Sequence, residues 1–449
     1  MKDINKTFKR SPKIMIITRF LPIKNTGGSE LYLYELITYL INVDIKLNVL
    51  ILEPTPSLIS TIFLISCRIN KYCKTIFRTI RIGGVLFRLQ YLYDIFLIGA
   101  GILYNILPSE KRYVYQNILY SLLLKIKFFT PKKKASEKVG YSDWSKRVVS
   151  KISAEELAFI DQQINTFNPD ILLTNYVFTA DSFNNILSRE SILRVILTHD
   201  VFTQRYEQFK NLNLNPDILW EDVNNEMKQL KKANLLLSIQ DSDTKTLKKM
   251  VPSCEVLTVP MPATFKKLDS KFQINSRCLF VGSNAKHNVV GINWFLNNVW
   301  PQVLKRFSDC HLHICGNVCR GINNIYDNVS LLDRIENLER EYAQAAVCII
   351  PLTVGSGLKI KTIEALSYGR ICVSTSIGIQ GLEDLSDKAI LVGNTVDEFS
   401  MHLISILLNK KKRYEMEAYA QKFVEENLSP DLVYRPLLDK FYKHIKASI

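Results

Sequence analysis

The sequence predicts an α/β protein made of two doubly wound, Rossmann-like domains that face each other across a cleft. Three observations carry this. Short runs rich in Val, Ile and Leu alternate with helical patterns along most of the chain, the mark of βα units on a parallel sheet. Glycine turns come after strand-like runs in both halves, at Gly27-Gly28 and at 355–357. Three prolines, Pro252, Pro260 and Pro262, separate the halves as an interdomain linker.

Size and charge set the bounds. The chain has 449 residues, 47% of them apolar, which suits two or three domains with real cores and excludes a disordered protein. A net charge of +15 calls for an anionic partner; nucleic acid, anionic lipid and nucleotide-sugar phosphates qualify. The nine cysteines are odd in number and several sit in strand-like runs, which suits free buried thiols in a reducing compartment. The opening MKDINKTFKRSPK lacks the apolar segment of a signal peptide. The longest clean apolar run, 95–107, has 13 residues, short of the roughly 20 that span a bilayer. A cytoplasmic protein, peripheral on the inner face of the membrane, is the expectation.

In the first half, KIMIIT at 13–18 is a strand, LYLYELITYLI a helix with Ser29 as N-cap, and LNVLIL at 47–52 the second strand. Gly27-Gly28 stands where that helix begins, either as a plain turn or as a place where backbone approaches a ligand. It is not the G-x-G-x-x-G fingerprint. The segment 57–135 differs in character. Between Cys67 and Ala135 stand thirteen Lys or Arg against Asp94 and Glu110, which is +11 of the total. Apolar residues interleave with these cations. The pattern favours a surface docking on anionic lipid, with core helices bearing a solvated basic face as the plain alternative. No nucleic-acid motif accompanies it, so no nucleic-acid partner is expected. Residues 141–168 read as polar helix, then ILLTNY and ILRVILT as strands. The latter ends on His199-Asp200, at the edge where open parallel sheets bind ligands; a helix cap or a surface pair is the plain alternative. Strands at 235–239 and 254–260 complete the half.

RCLFVG at 277–282 opens the second series, with SNAKHNVVG as its turn and 292–307 as its helix. HLHIC at 311–315 and 328–332 are strands, 336–345 a helix. The chain is organised around residues 346–383, AVCIIPLTVGSGLKIKTIEALSYGRICVSTSIGIQGLE: strand, glycine turn, helix, strand. A glycine turn that opens a helix presents free N–H groups and a positive dipole end, a place for phosphate. Lys359 and Lys361 add charge beside it, and Glu364 can accept hydrogen bonds from a ribose diol. A last strand at 389–393 and helices at 395–408, 411–427 and 430–445 end the chain. Cys310, His311, His313, Cys315 and Cys319 crowd like metal ligands, but a strand turns Cys310 away and no C-x-x-C pair is present, so core or interface roles are expected. G-S-G-L-K-I-K-T lacks a P-loop's second glycine, and Asp241-Ser242-Asp243 reads as a surface turn.

GSGLKIKTIEALSYGRICVSTSIGIQGLE resembles the donor-site signature of GT-B glycosyltransferases of the family 4 (group 1) type. FVGSNAKHNVVGINWFLNNVWPQV is similar to the opening of their C-terminal domain, KIMIITRFLPIKNTGGSELYLYEL to their N-terminal opening, and THDVFTQR to their mid-domain His turn. The resemblance implies an acceptor domain over 1–262, a nucleotide-sugar donor domain over 273–426, and a C-terminal helix, 427–449, with the option of crossing back to the first domain. It implies a retaining hexosyltransferase, free of metal and cofactor, acting on a glycan or lipid-linked acceptor in surface polysaccharide or glycolipid synthesis. Lys359 and Lys361, with the amides around Gly355, Ser356, Gly357 and Leu358, would neutralise the diphosphate. Glu364 would hold the ribose. His199, with Asp200 beside it, would meet the sugar, Gly27 and Gly28 would let backbone approach, and Lys286 would add a basic residue. Many relatives carry two glutamates separated by seven residues; Glu364 is the second, and Ser356 stands at the first. Two other readings remain. A nucleotide-sugar epimerase of this fold needs carboxylates on the N-terminal side of the cleft, and none is visible as a cluster. Ser356 makes a non-catalytic sugar-nucleotide-binding or scaffold subunit conceivable.

Overall fold

The computed structural model describes residues 10–20, 22, 28–52, 73–75, 80–82, 85–87, 149, 151–216, 222–335, 337–355 and 357–447. Apart from three short strands, the basic segment 57–135 lies outside these, and with it the expected lipid-docking surface.

Strand β1 (Lys13–Thr18) is buried from Ile14 onward, because it runs through the middle of a parallel sheet covered on both faces. Helix α1 (Gly28–Asn42) buries Tyr32, Leu33, Leu36, Ile37 and Leu40 at helical spacing. It starts at Gly28, so Ser29 lies inside the first turn, donating to Glu30, and is not the N-cap. Strands β2 (Lys46–Ile51) and β3 (Cys73–Thr75) come next, with a small hairpin of β4 (Ile80–Ile82) and β5 (Val85–Phe87). Helix α2 (Ala154–Phe167) is shorter than the polar run from 141 suggests, since Ser153 and Glu156 close a capping box at its start. Then come β6 (Ile171–Asn175), β7 (Leu193–Leu197), α3 (Phe202–Asn211), α4 (Val223–Leu230), β8 (Leu235–Ser238), α5 (Asp241–Met250) and β9 (Glu255–Thr258). The sheet order is β3-β2-β1-β6-β7-β8-β9.

The second half begins with β10 (Arg277–Val281). Helix α6 (Lys286–Trp294) passes through a wide turn, Phe295–Val299, into α7 (Trp300–Arg306). It starts six residues before the expected 292, so SNAKHNVVG is mostly helix, not turn. Gly291 signals a close approach instead of a bend: a Cβ there would stand 2.5 Å from the Pro351 carbonyl oxygen. Strands β11 (His311–Cys315) and β12 (Val329–Leu331), helix α8 (Leu338–Gln344), β13 (Val347–Ile350), α9 (Ile360–Ser367), β14 (Cys372–Ser374) and β15 (Ile390–Val392) complete a sheet of order β12-β11-β10-β13-β14-β15. All pairings in both large sheets are parallel.

Each strand order reverses once, between β1 and β6 and between β10 and β13. Connections diverge there and open a crevice at the carboxyl ends. Helices α10 (Val396–Leu408), α11 (Lys410–Asn427) and α12 (Pro430–Ala447) end the chain. The last returns to the first half: Tyr434 packs 5.0 Å from Tyr39 between ring centres, and His444 Nε2 lies 3.2 Å from the Ser191 carbonyl. One apolar cluster runs through both halves, joining Ile16 and Leu197 by way of Val259, Met261 and Leu358 to Leu279 and Ile390.

The seven described cysteines outside the basic segment are buried free thiols. His313 Nδ1 pairs with Glu341 at 2.6 Å, and among the described residues no group of three or more His, Cys, Asp or Glu is arranged to hold a metal. Among the described residues, no helix is long and apolar enough to cross a membrane.

Gly291→Ala is expected to push β13's end off α6 and cost about 1–3 kcal/mol, the usual penalty of overpacking. Urea denaturation followed by Trp fluorescence would read it, because Trp294 ends that helix and Trp300 opens the next; an unchanged midpoint would refute the packing account.

Candidate active site

The glycine turn after β13 is where the second crevice opens. Gly355 has φ +131 and Gly357 φ +74, conformations that side chains rarely tolerate. Lys359 occupies the N-cap position of α9 and is only 6% exposed. Its ammonium curls back over the turn, donating to the Gly357 carbonyl at 2.7 Å and to Gln380 Oε1 at 3.2 Å. Lys361 donates to Asn288 on α6 and lies 5.3 Å above the Phe280 ring. Burial is the main force on both: it lowers Lys359 to about 8 and Lys361 to about 7, the latter further depressed by Lys359. Glu364 sits one turn along. Burial raises its carboxyl, while a hydrogen bond with Tyr342 and the charges of Lys266 and Lys361 favour the ionised form.

The opposing surface comes from the end of β7. His199 has φ +58 and is 4% exposed. Its Nε2 lies 2.7 Å from Asn175 Oδ1, and Asn175 uses its own Nδ2 to donate to Thr18, so Nε2 carries the proton. Tyr176 packs on the imidazole at 4.4 Å, and burial lowers the pKa to about 3, leaving the ring neutral. Asp200 bonds Arg205 at 2.8 Å.

The two surfaces touch. A Cβ on Gly357 would stand 2.6 Å from Asp200 Oδ1 and 2.9 Å from the His199 carbonyl oxygen. One on Gly28 would stand 2.7 Å from Ile360 Cδ1, at the first residue of α9. One on Gly381 would stand 2.9 Å from Gln240 Oε1. Bare backbone is thus the contact surface at three points of the seam.

The structure therefore brings together Gly28, His199, Asp200, Gly355, Gly357, Leu358, Lys359 and Lys361, with Glu364 a turn beyond. Gly27 and Ser356 lie outside the described residues. Lys286 instead donates to the Asn215 carbonyl and lies 5.8 Å over Phe209, so its charge is committed to the N-terminal domain. Asp241-Ser242-Asp243 is not a surface turn. It begins α5, which buries Asp243 to 4% exposure in its first turn; one oxygen takes a hydrogen bond from Gln240 at 2.8 Å, and Oδ2 has no partner among the described residues. Burial, with Asp200 nearby, pushes its carboxyl up to about 7, against the pull of Lys359. Sequence reasoning misses three further residues. Arg205 lies five residues after Asp200 and so comes back beside it on the first turn of α3. Asn288 and His287 are hidden in a stretch whose pattern suggests a turn.

Residues 275–409 match the family described as Glycosyl transferases group 1. A 44.6 kDa protein in the cps region of Klebsiella pneumoniae is 29% identical over 284 residues, 58% of this chain and 71% of that protein. Sucrose-phosphate synthase from Thermosynechococcus elongatus superposes with a TM-score of 0.63 at 13% identity, over 98% of this chain and 100% of its own. An S. aureus TarM mutant, solved with UDP and alpha-GlcNAc-glycerol, gives 0.65 at 12% identity, over 96% and 99%. The pneumococcal O-GlcNAc transferase GtfA, solved with UDP and GlcNAc, gives 0.59 at 11%, over 98% and 99%. Two parallel sheets joined at a seam of this kind are the GT-B fold. The chain thus has the GT-B fold, and its residues 275–409 match the group 1 glycosyl transferases.

Gly357→Ala is expected to break the seam, since the new methyl needs the space of Asp200 Oδ1. Hydrogen exchange at residues 199–205 should rise, and solution scattering should show a larger radius of gyration. Identical exchange and scattering would mean that the contact is dispensable.

Proposed function

We propose that this protein transfers a hexosyl residue from a nucleotide-sugar donor to a glycan or lipid-linked acceptor, with retention of configuration and without a metal. We place it in surface polysaccharide or glycolipid synthesis at the inner face of the membrane. One observation carries the reading: a turn of bare glycines with one buried and one half-buried lysine opens a helix directly opposite a neutral histidine. The cps region of the Klebsiella pneumoniae relative and the UDP held by TarM and GtfA favour a UDP-sugar and a surface glycan.

The chemistry is dictated by charge. As the anomeric carbon–oxygen bond breaks, negative charge grows on the diphosphate and positive charge on the sugar. Lys359, Lys361 and the turn amides meet the first in a site of low dielectric, where preorganised charge is worth most. His199, held neutral, sets no second cation against the sugar. The acceptor hydroxyl attacks the face that the leaving group vacates; its oxygen bonds to the anomeric carbon and its proton passes to the departing phosphate oxygen. The lysines supply the charge that a metal supplies elsewhere. Glu364, steadied by Tyr342, takes the ribose hydroxyls.

A second reading, the epimerase, gains from Asp243 and Asp200, two carboxyls on the N-terminal side of the seam. NMR of recovered donor separates the two: an inverted ring carbon on unreacted donor would favour the epimerase and count against transfer.

Lys359→Ala is expected to lower kcat/KM by about 10²- to 10³-fold, the usual effect of removing one such charge. The parent should lose kcat/KM as pH rises above 7, because the two depressed lysines shed protons there. Lys361→Arg should move that fall to higher pH. A parent that turns over no nucleotide sugar, or a Lys359→Ala enzyme with parental rates, would sink the proposal. Equal sedimentation with neutral and anionic liposomes would remove its membrane part.

A further inference from the structure

The cation set at the glycine turn has a member that the proposed mechanism does not use. His287 stands in the first turn of α6, beside Asn288, the partner of Lys361. Above Gly355 its ring and the Lys359 ammonium converge. A Cβ placed on Gly355 would lie 3.6 Å from His287 Cβ, 3.7 Å from His287 Cγ and 3.8 Å from Lys359 Nζ. The bare face of Gly355 is therefore roofed by an imidazole on one side and an ammonium on the other. His287 Nδ1 is buried and has no hydrogen-bond partner among the described residues. Buried polar atoms without partners are rare, and in a native site they point to a missing ligand or a catalytic use.

We propose that His287 is a third donor-binding side chain, which takes up a proton and donates from Nδ1 to a diphosphate oxygen seated over Gly355. This rests on the donor-site reading above and extends it to a residue outside the signature turn. Three cations face the imidazole: Arg205 from α3, Lys359 from the turn and Lys361 from α9, with Asp200 behind Arg205 and Lys359. With no anion present, burial and these three charges hold the ring well below its ordinary range and keep it neutral. A diphosphate reverses the balance, because two negative charges enter in front of the three cations. The proton comes from solvent, no bond is broken, and the charge returns to solvent when the nucleotide leaves. Linkage gives the sign: between the free and bound pKa values the complex holds one more proton than its parts, so affinity rises as pH falls.

The test is calorimetry at pH 6, where Lys359 and Lys361, at about 8 and about 7, already carry their protons. UDP-glucose, UDP-N-acetylglucosamine, GDP-mannose and inorganic pyrophosphate are titrated into the full chain in two buffers of different ionisation enthalpy, which gives the protons taken up. The parent should take up a substantial fraction of a proton beyond that taken up by His287→Phe, which fills the same space without nitrogens. That variant should bind about tenfold or more weakly, the scale of one hydrogen bond to a charged group. His287→Asn returns a neutral donor near the Nδ1 position. It should recover part of the affinity and none of the proton uptake, and it keeps the test alive if the Phe variant folds poorly. A parent that binds these probes while both variants match it in affinity and in protons would overturn the role of His287 and leave the donor site standing. A parent that binds none of the probes would overturn both.

Discussion

The contact between the backbone of Gly357 and the Asp200 carboxylate is the interaction on which the site depends. Lys359, Lys361 and Arg205 are gathered at one turn, two of them nearly buried, where like charges repel strongly and desolvation is costly. The arrangement holds because carboxylates come close. Asp200 pairs with Arg205 and attracts Lys359, Asp243 attracts Lys359 from α5, and Asn288 and the Gly357 carbonyl take the remaining protons. Asp200 reaches that position only because residue 357 has no side chain. The two halves of the chain therefore hold the resting cations together, with Glu383 and Glu364 of the second half adding to the pull of Asp200 and Asp243.

The seam also explains the chemistry of its polar groups. His199 is forced into a left-handed backbone and pinned by Asn175, which fixes its tautomer, while burial keeps it neutral. Asp243 is buried beside Gln240 with one oxygen unpaired among the described residues, a costly arrangement in a core yet a common one where a ligand completes the bonding. Both sit at carboxyl ends of strands, the place that the reversal of strand order leaves open.

Much of this is legible from residue order. Buried parallel strands announce themselves as β-branched runs, and the 346–383 string carries strand, turn, helix and strand with few ambiguities. The failures share a cause. Gly291 reads as a bend, because glycine in sequence does not distinguish a turn from a place where another backbone passes within touching distance. The same ambiguity hides His287 and Asn288. Asp243 reads as a surface residue because polar residues after a strand are usually solvated; only tertiary packing buries it. Lys286, a basic residue in a suggestive place, spends its charge on Asn215 instead, and no local pattern foretells where a long flexible side chain will reach.

The return of α12 has a mechanical consequence. The chain passes between the halves after β9 and again before α12, and these two passages lie side by side, with the Ala263 amide bonded to the Leu428 carbonyl at 2.7 Å. Two tethers along one edge leave rotation about that edge as the easy motion and resist sliding. His199 lies near this hinge line, because Tyr32 packs 5.4 Å from its ring and donates to the Val259 carbonyl at 2.8 Å. Rotation about that line therefore widens the mouth of the cleft more than it parts the glycines from His199.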